Sequence, residues 1–328
     1  MDTPRLERAA TAGRVHFHDL HPTPADIRTE VLAGLALPQK RLSPKYFYDA
    51  EGSRLFDAIC ELPEYYPTRT EIGILHRYGG EMASRLGRDA LLIELGSGSS
   101  LKIRTLLEAL RPAVYMPVDI SGEHLLHSAQ DLAAAFPDLV IHAVCADYST
   151  AFVLPLDHHE HPRVAFFPGS SVGNFEPPAA ARFLERVGQV LGPGGRLLIG
   201  VDLVKDIRRL TAAYNDADGV TAAFNLNLLV RINRELGADF DVDAFRHDAF
   251  FNAELSRIEM HLVSTRPQRV QVAGQSFDFT EGETIHTECS YKYRIDGFHA
   301  LAAESGFTAE QVWTDSDDLF SVHCLVWG

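Results

Sequence analysis

Five short apolar runs, each followed by a stretch with helical spacing, constrain this chain more than any other feature. They span residues 90–95, 114–119, 139–144, 163–167 and 196–201. Between them, apolar side chains recur three and four positions apart. Leu125, Leu126, Ala129, Leu132 and Ala133 share one face of a helix predicted over 121–136. A helix is expected after Pro67, where Ile72, Ile74, Leu75 and Tyr78 fall at helical spacing, and another runs to Leu110. The helix over 177–191 opens with two prolines, suited to a first turn. Apolar strands alternating with helices imply a parallel sheet covered on both faces, a doubly wound α/β fold.

The alternation stops after Asp202. A helical stretch from Ala212 to Leu236 and strand-like alternation from Ile258 to Val272 come next. A helix over 297–305 and strands around Val312 and Val322 then resume the first pattern. The chain therefore reads as a core, residues 69–204 and 292–328, with a second α+β lobe formed by residues 14–68 and 205–291. A length of 328 residues accommodates both.

The net charge of −15 disfavours nucleic acid and anionic membrane surfaces. No apolar run approaches the ~20 residues of a membrane span. The opening residues Met1 to Arg5 lack the apolar core of a secretory signal. Cys60, Cys145, Cys289 and Cys324 are far apart and form no CxxC pair, which excludes a zinc cluster or disulfide scaffold as the expectation. A cytoplasmic monomer is expected. His158-His159-Glu160-His161 lies in a polar loop without HExxH spacing on a helix, so no metal is expected there. Lys205, Asp206, Arg208 and Arg209 read as a solvated helix face, and His124 and His127 as surface residues.

Chemistry begins at Glu94-Leu95-Gly96-Ser97-Gly98-Ser99, between the first strand and a helix. Gly96 and Gly98 permit a tight turn and let a ligand approach unpaired helix N–H groups. Asp119 ends the next strand, near the ~20-residue offset at which a carboxylate meets ribose hydroxyls. Two ligand classes fit, nicotinamide dinucleotides and S-adenosyl-L-methionine. Leu101 stands where a dinucleotide fingerprint has its third glycine, which counts against a dehydrogenase. Glu94 suits a ligand with a cationic end, and Asp147-Tyr148 can bond and flank an adenine. A cofactor-binding sensor without turnover is a third class, opposed by the polar residues described next.

The acidic strand end, GxG loop, Asp119 and Asp147-Tyr148 resemble the class I methyltransferase pattern. Further segments are more specific: 46–53 (YFYDAEGS), 62–71 (LPEYYPTRTE), 169–174 (GSSVGN), 202–206 (DLVKD), 214–216 (YND), 219–225 (GVTAAFN), 233–236 (NREL) and 287–292 (TECSYK). In this order they are similar to the histidine Nα-methyltransferase family, which forms hercynine in ergothioneine biosynthesis. The resemblance runs from about Lys40 to the C-terminus. It implies a Rossmann-like core with a substrate lobe. It assigns the cofactor to Gly96, Gly98, Lys102, Asp119, Asp147 and Tyr148. It places Asn174 and Tyr214 at the substrate's carboxylate and amino end. Tyr65, Glu288 and Ser290 would contact the imidazole of L-histidine, Met260 would pack against it, and Tyr48 would stand near the reacting amine. The intact Glu-x-Ser pair favours histidine over tryptophan; methylation of another amino acid or small amine is the alternative. On local grounds alone, the competing readings make Asn174 a cap of the helix at Pro177, Tyr214 a helix-surface residue, and Lys102 a solvated lysine.

Methyl transfer is an in-line displacement, which needs an amine that has lost its proton and a site that excludes water. Tyrosines around the nitrogen supply an apolar wall whose π-faces favour a growing methylammonium. Glu288 can accept a ring N–H, and Ser290 can donate or accept.

Overall fold

The computed structural model describes residues 14–20, 25–98, 101–150, 154–155 and 161–328. Ser99, His158, His159, Glu160 and the first five residues lie outside these, as does the side chain of Leu101.

All five apolar runs are strands: β3 (Leu91–Leu95), β4 (Val114–Asp119), β5 (Val140–Cys145), β6 (Arg163–Phe167) and β7 (Arg196–Asp202). An earlier strand, β1 (Val15–Asp19), and a closing hairpin, β13 (Phe307–Thr314) and β14 (Phe320–Trp327), join them. The sheet order is β1-β5-β4-β3-β6-β7-β14-β13, parallel except at β14, which runs antiparallel to both neighbours. Without β1, this is the strand order of the class I methyltransferase fold. Leu92, Tyr115 and Ile141 bury one face of the sheet against α3 (Tyr66–Leu86), α4 (Leu101–Leu110) and α5 (Gly122–Ala135). Leu91, Ile93 and Leu95 point the other way, against α6 (Pro177–Leu191) and α9 (Ile295–Glu304). The order reverses between β3 and β6, where a doubly wound sheet opens its ligand crevice.

The second lobe has its own core. A four-stranded sheet of order β2-β12-β9-β8 combines β2 (Lys40–Arg41), β8 (Phe245–Asn252), β9 (Arg257–Ser264) and β12 (Thr284–Tyr291). A hairpin of β10 (Gln268–Val272) and β11 (Gln275–Phe279) lies beside it. Ile258, Met260, Leu262 and Ile285 pack against α1 (Ala25–Leu35), α2 (Ala50–Glu61) and α8 (Val220–Leu236).

Three expectations change. β1 pairs in parallel with β5, from Val15↔Ile141 to Asp19↔Cys145, so the beginning of segment 14–68 belongs to the large sheet. The helix expected from Ala212 to Leu236 is two helices, α7 (Ile207–Ala212) and α8. They are separated by a turn at Gly219 (φ +74°), after which the Asp216 carboxylate accepts from the backbone N–H groups of Val220 and Thr221. The alternation over 258–272 spans parts of two strands, β9 and β10. No helix among the described residues is long and apolar enough to cross a membrane, and Cys60, Cys289 and Cys324 form no disulfide among the described residues.

Candidate active site

A cavity of about 400 Å3 opens at the C-terminal ends of β3, β4, β5 and β6 and is roofed by the second lobe. Its lining includes Tyr48, Tyr65, Gly96, Gly98, Lys102, Asp119, Asp147, Tyr148 and Asn174, nine of the thirteen residues expected at the site.

The core supplies the floor. Gly96 has φ +72°, and a Cβ there would come within 3.2 Å of the Tyr148 hydroxyl, so the loop needs glycine for both conformation and space. Asp119 accepts from the backbone N–H of Gly98 at 3.2 Å and of Ser121 at 2.9 Å, bracing the glycine turn against β4. Burial pushes its carboxyl up against these bonds. Asp147 accepts from Ser149 and pairs with Lys45 at 3.2 Å. Ser97 Oγ is buried and has no hydrogen-bond partner among the described residues. Glu94 is buried and bonded to the Tyr115 hydroxyl; burial raises its pKa to about 8.

Lys102 is not a solvated lysine. Its ammonium pairs at 2.8 Å with Glu71, a fully buried carboxylate on α3 that also accepts from the Gly169 N–H. A Cβ at Gly200 on β7 would come within 2.1 Å of Glu71 Oε1, so that glycine leaves room for the carboxylate. Nor does Asn174 cap α6, whose N-cap is Glu176; it ends a short 3-10 turn, Ser171–Asn174, on the cavity wall. His124 is a correction: its Nε2 meets the Gly98 carbonyl at 3.0 Å and it lines the cavity. His127 is exposed, as expected, and pairs with Asp131.

The second lobe supplies the roof. Tyr48 meets Phe56 and Phe224 edge-on, with centroids 5.7 and 5.9 Å apart, and Tyr65 meets Phe56 and Tyr214 at 6.3 and 6.4 Å. Burial, then the charge of Glu288, holds the Tyr48 phenol well above its ordinary range. Tyr48 lines the same cavity as the glycine loop, Asp119 and Tyr148. Tyr65 is raised by burial first, then chiefly by Tyr214.

Behind these rings lie the remaining expected residues, Tyr214, Met260, Glu288 and Ser290, which line the lobe interior rather than the cavity. Met260 pairs in register with Glu288 across β9 and β12. Glu288 and Ser290 share a face of β12. Burial raises Glu288 to about 7, and Lys292 opposes the shift. The Tyr214 hydroxyl donates to Ser290 Oγ at 2.9 Å; it is no surface residue.

The expected site residues omit a buried charge chain. Lys292 pairs with Asp202 at 2.8 Å and donates to both Tyr214 and Ser290. Asp202 also accepts from the Tyr66 hydroxyl and from Lys205. Lys205 therefore belongs inside, not on a solvated face; burial lowers it to about 8 despite Asp202. Asp206 is the N-cap of α7, accepting from Arg208 and Arg209 N–H. The motifs 202–206 and 287–292 contained this chain, but only the fold joins them.

On the opposite face of the small sheet, Glu259, His261 and His286 cluster. The two imidazoles stack at 4.8 Å with planes 17° apart, so their in-plane lone pairs run nearly parallel rather than toward one point. Arg257 already pairs with Glu259 at 2.8 Å. The cluster is a stacked ion-pair network, ill suited to a metal.

The sequence matches, over residues 27–327, the family described as "Histidine-specific methyltransferase, SAM-dependent". The chain belongs to this family. The histidine N-alpha-methyltransferase of Mycolicibacterium smegmatis is 46% identical over 306 residues, 92% of this chain and 94% of the relative. The enzyme of the same name from Mycobacterium tuberculosis is 44% identical over 296 residues, 88% and 91% of the two chains. Ergothioneine biosynthesis protein 1 of Neurospora crassa is 30% identical over 87% of this chain and 33% of its own length.

Proposed function

We propose that the protein transfers three methyl groups to the α-amine of L-histidine, giving hercynine, a step of ergothioneine biosynthesis. The observation that carries this reading is the buried Glu288–Ser290 pair on β12, in the same lobe whose Tyr48 and Tyr65 line the glycine-loop cavity. The cavity fits S-adenosylmethionine on its own chemistry. Gly96 leaves the backbone open, Ser97 Oγ is an unpartnered buried hydroxyl, and Asp119 and Asp147 offer carboxylates to hydroxyls and an amine. When bound, that group supplies the electrophilic methyl. Gly96, Gly98, Lys102, Asp119, Asp147 and Tyr148 would hold it.

The chain's own residues do the rest. Glu288 accepts an imidazole N–H and Ser290 binds the other ring nitrogen, with Tyr65 and Met260 against the ring. Asn174 and Tyr214 hold the carboxylate and amino end. Tyr48 and Asn174 stand nearest the amine. With phenols held neutral well above pH 7, the tyrosines position the amine and shield it from water, and do not act as bases. The proton leaves through solvent. The π-faces tolerate each methylammonium product. Residues 205–291 with most of 14–68 form the substrate lobe, and the protein works as a cytoplasmic monomer.

Mass spectrometry of histidine incubated with enzyme and S-adenosylmethionine tests the reading. Additions of one, two and three methyl groups are expected. No product, with an equal supply of tryptophan or other amino acids methylated instead, rejects histidine as substrate.

A further inference from the structure

Lys292 is almost wholly enclosed, 3% exposed. Its ammonium has three hydrogens and three acceptors within reach: Asp202 Oδ2 at 2.8 Å, Ser290 Oγ at 2.8 Å and the Tyr214 hydroxyl at 3.1 Å. An ammonium donates and never accepts. Both hydroxyl oxygens therefore receive a hydrogen from the lysine. Tyr214 in turn gives its own hydrogen to Ser290 Oγ at 2.9 Å. Ser290 has then accepted twice, which uses both lone pairs of its oxygen. Its own hydrogen remains, so toward a ligand Ser290 is a donor only. Two positions earlier on the same face of β12, the Glu288 carboxylate is an acceptor only.

We infer that Lys292 is a positioning residue. It fixes the direction of the Ser290 and Tyr214 hydroxyls, so that the pocket offers one donor and one acceptor and selects a single neutral tautomer of an imidazole. The inference deepens the histidine reading above and rests on it. The lysine is well placed for this task. Asp202 is itself gripped by Tyr66 and Lys205, which keeps the ammonium from swinging toward the ligand. Burial alone would strip its proton, but Asp202 and Tyr214 more than offset that and hold it charged. The tyrosine ring beneath it, 5.0 Å from Nζ, adds a cation–π contact.

The experiment compares wild type, Lys292→Met, Lys292→Gln, Ser290→Ala and the Lys292→Met/Ser290→Ala double variant. Two readouts are taken: the nitrogen-15 spectrum of bound labelled L-histidine, and affinities for histidine and for 3-(2-pyrrolyl)alanine, whose ring lacks the acceptor nitrogen. Wild type should hold one protonated and one bare ring nitrogen and prefer histidine at least about tenfold, the worth of one buried hydrogen bond. Lys292→Met should average the two nitrogen signals and lose most of that preference, raising KM more than it lowers kcat. Lys292→Gln, which keeps an N–H donor, should recover part of it. Lys292→Met should add no further loss of preference on the Ser290→Ala background. Equal weakening of both ligands by Lys292→Met, with one tautomer retained, overturns the inference. If Lys292→Met does not fold, Ser290→Ala decides, since equal loss of both ligands there overturns it too. Wild type that binds no histidine overturns the substrate reading and this inference together; wild type that binds mixed tautomers overturns this inference alone.

Discussion

Burial, opposed by Lys292, raises the Glu288 carboxyl from an ordinary 4.5 to about 7. The folded state therefore holds its proton more tightly than the unfolded chain does. Its contribution to stability is complete below pH 4.5 and is lost as the pH rises through 7. Glu288→Gln should remove that decline, read as unfolding free energy against pH for both proteins. In catalysis the sign reverses under the proposed function, because the carboxylate is the stronger acceptor for a ring N–H and the protonated carboxyl also presents a competing donor. For wild type, kcat/KM for histidine should rise through an ionisation near pH 7. In Glu288→Gln that step should vanish, leaving only the substrate's own titrations. A second residue-scale expectation concerns Asp202. Asp202→Asn leaves Lys292 and Lys205 without their anion, and urea denaturation should register a loss of about 3–5 kcal/mol. At this scale much of the site was legible, because Glu-x-Ser, the tyrosines and the glycine loop are local strings. Glu71 and the Asp202–Lys292 pair were not: their partners lie 31 and 90 positions away in sequence, and a buried carboxylate has no local signature.

The strands of the core could be read to within a residue or two at this next scale, because buried parallel strands are continuous apolar runs. The second lobe was harder. β8 and β12 are partly polar strands without a continuous apolar run, and β1 (Val-His-Phe-His-Asp) is an edge strand whose sheet membership is set by β5. The join between α7 and α8 was obscured by apolar residues on both sides of Gly219. Element packing also makes a test possible. The Gly200→Ala methyl on β7 intrudes on Glu71 of α3, and Phe320 at 3.0 Å blocks retreat on the other side. Glu71 must give up Lys102 and the Gly169 N–H. Calorimetry should show S-adenosylmethionine affinity falling by roughly ten- to a hundredfold, the loss of charge-assisted bonds, with histidine affinity far less changed. Gly96→Ala should act on the same ligand by a different route, through a left-handed backbone that costs an alanine about 1–2 kcal/mol and through contact with Tyr148.

Over the whole molecule, the cavity is bounded by both lobes, so occupancy should be felt in both. With S-adenosylhomocysteine and histidine each at about a hundred times its Kd, each ligand should add about 2.7 kcal/mol to unfolding free energy. Hydrogen exchange should slow together in 94–119, 48–65 and 288–292; protection confined to the large sheet would place the amino acid elsewhere. The charge of −15 never bore on this choice, since the groups that bind are a handful of buried ones. The Lys292–Asp202 pair carries one further consequence. It ties the end of the inserted lobe to the end of β7 and, by the same ammonium, sets the face shown to a ligand. A change at 292 would therefore disturb the join between the lobes and the pocket's hydrogen bonds together.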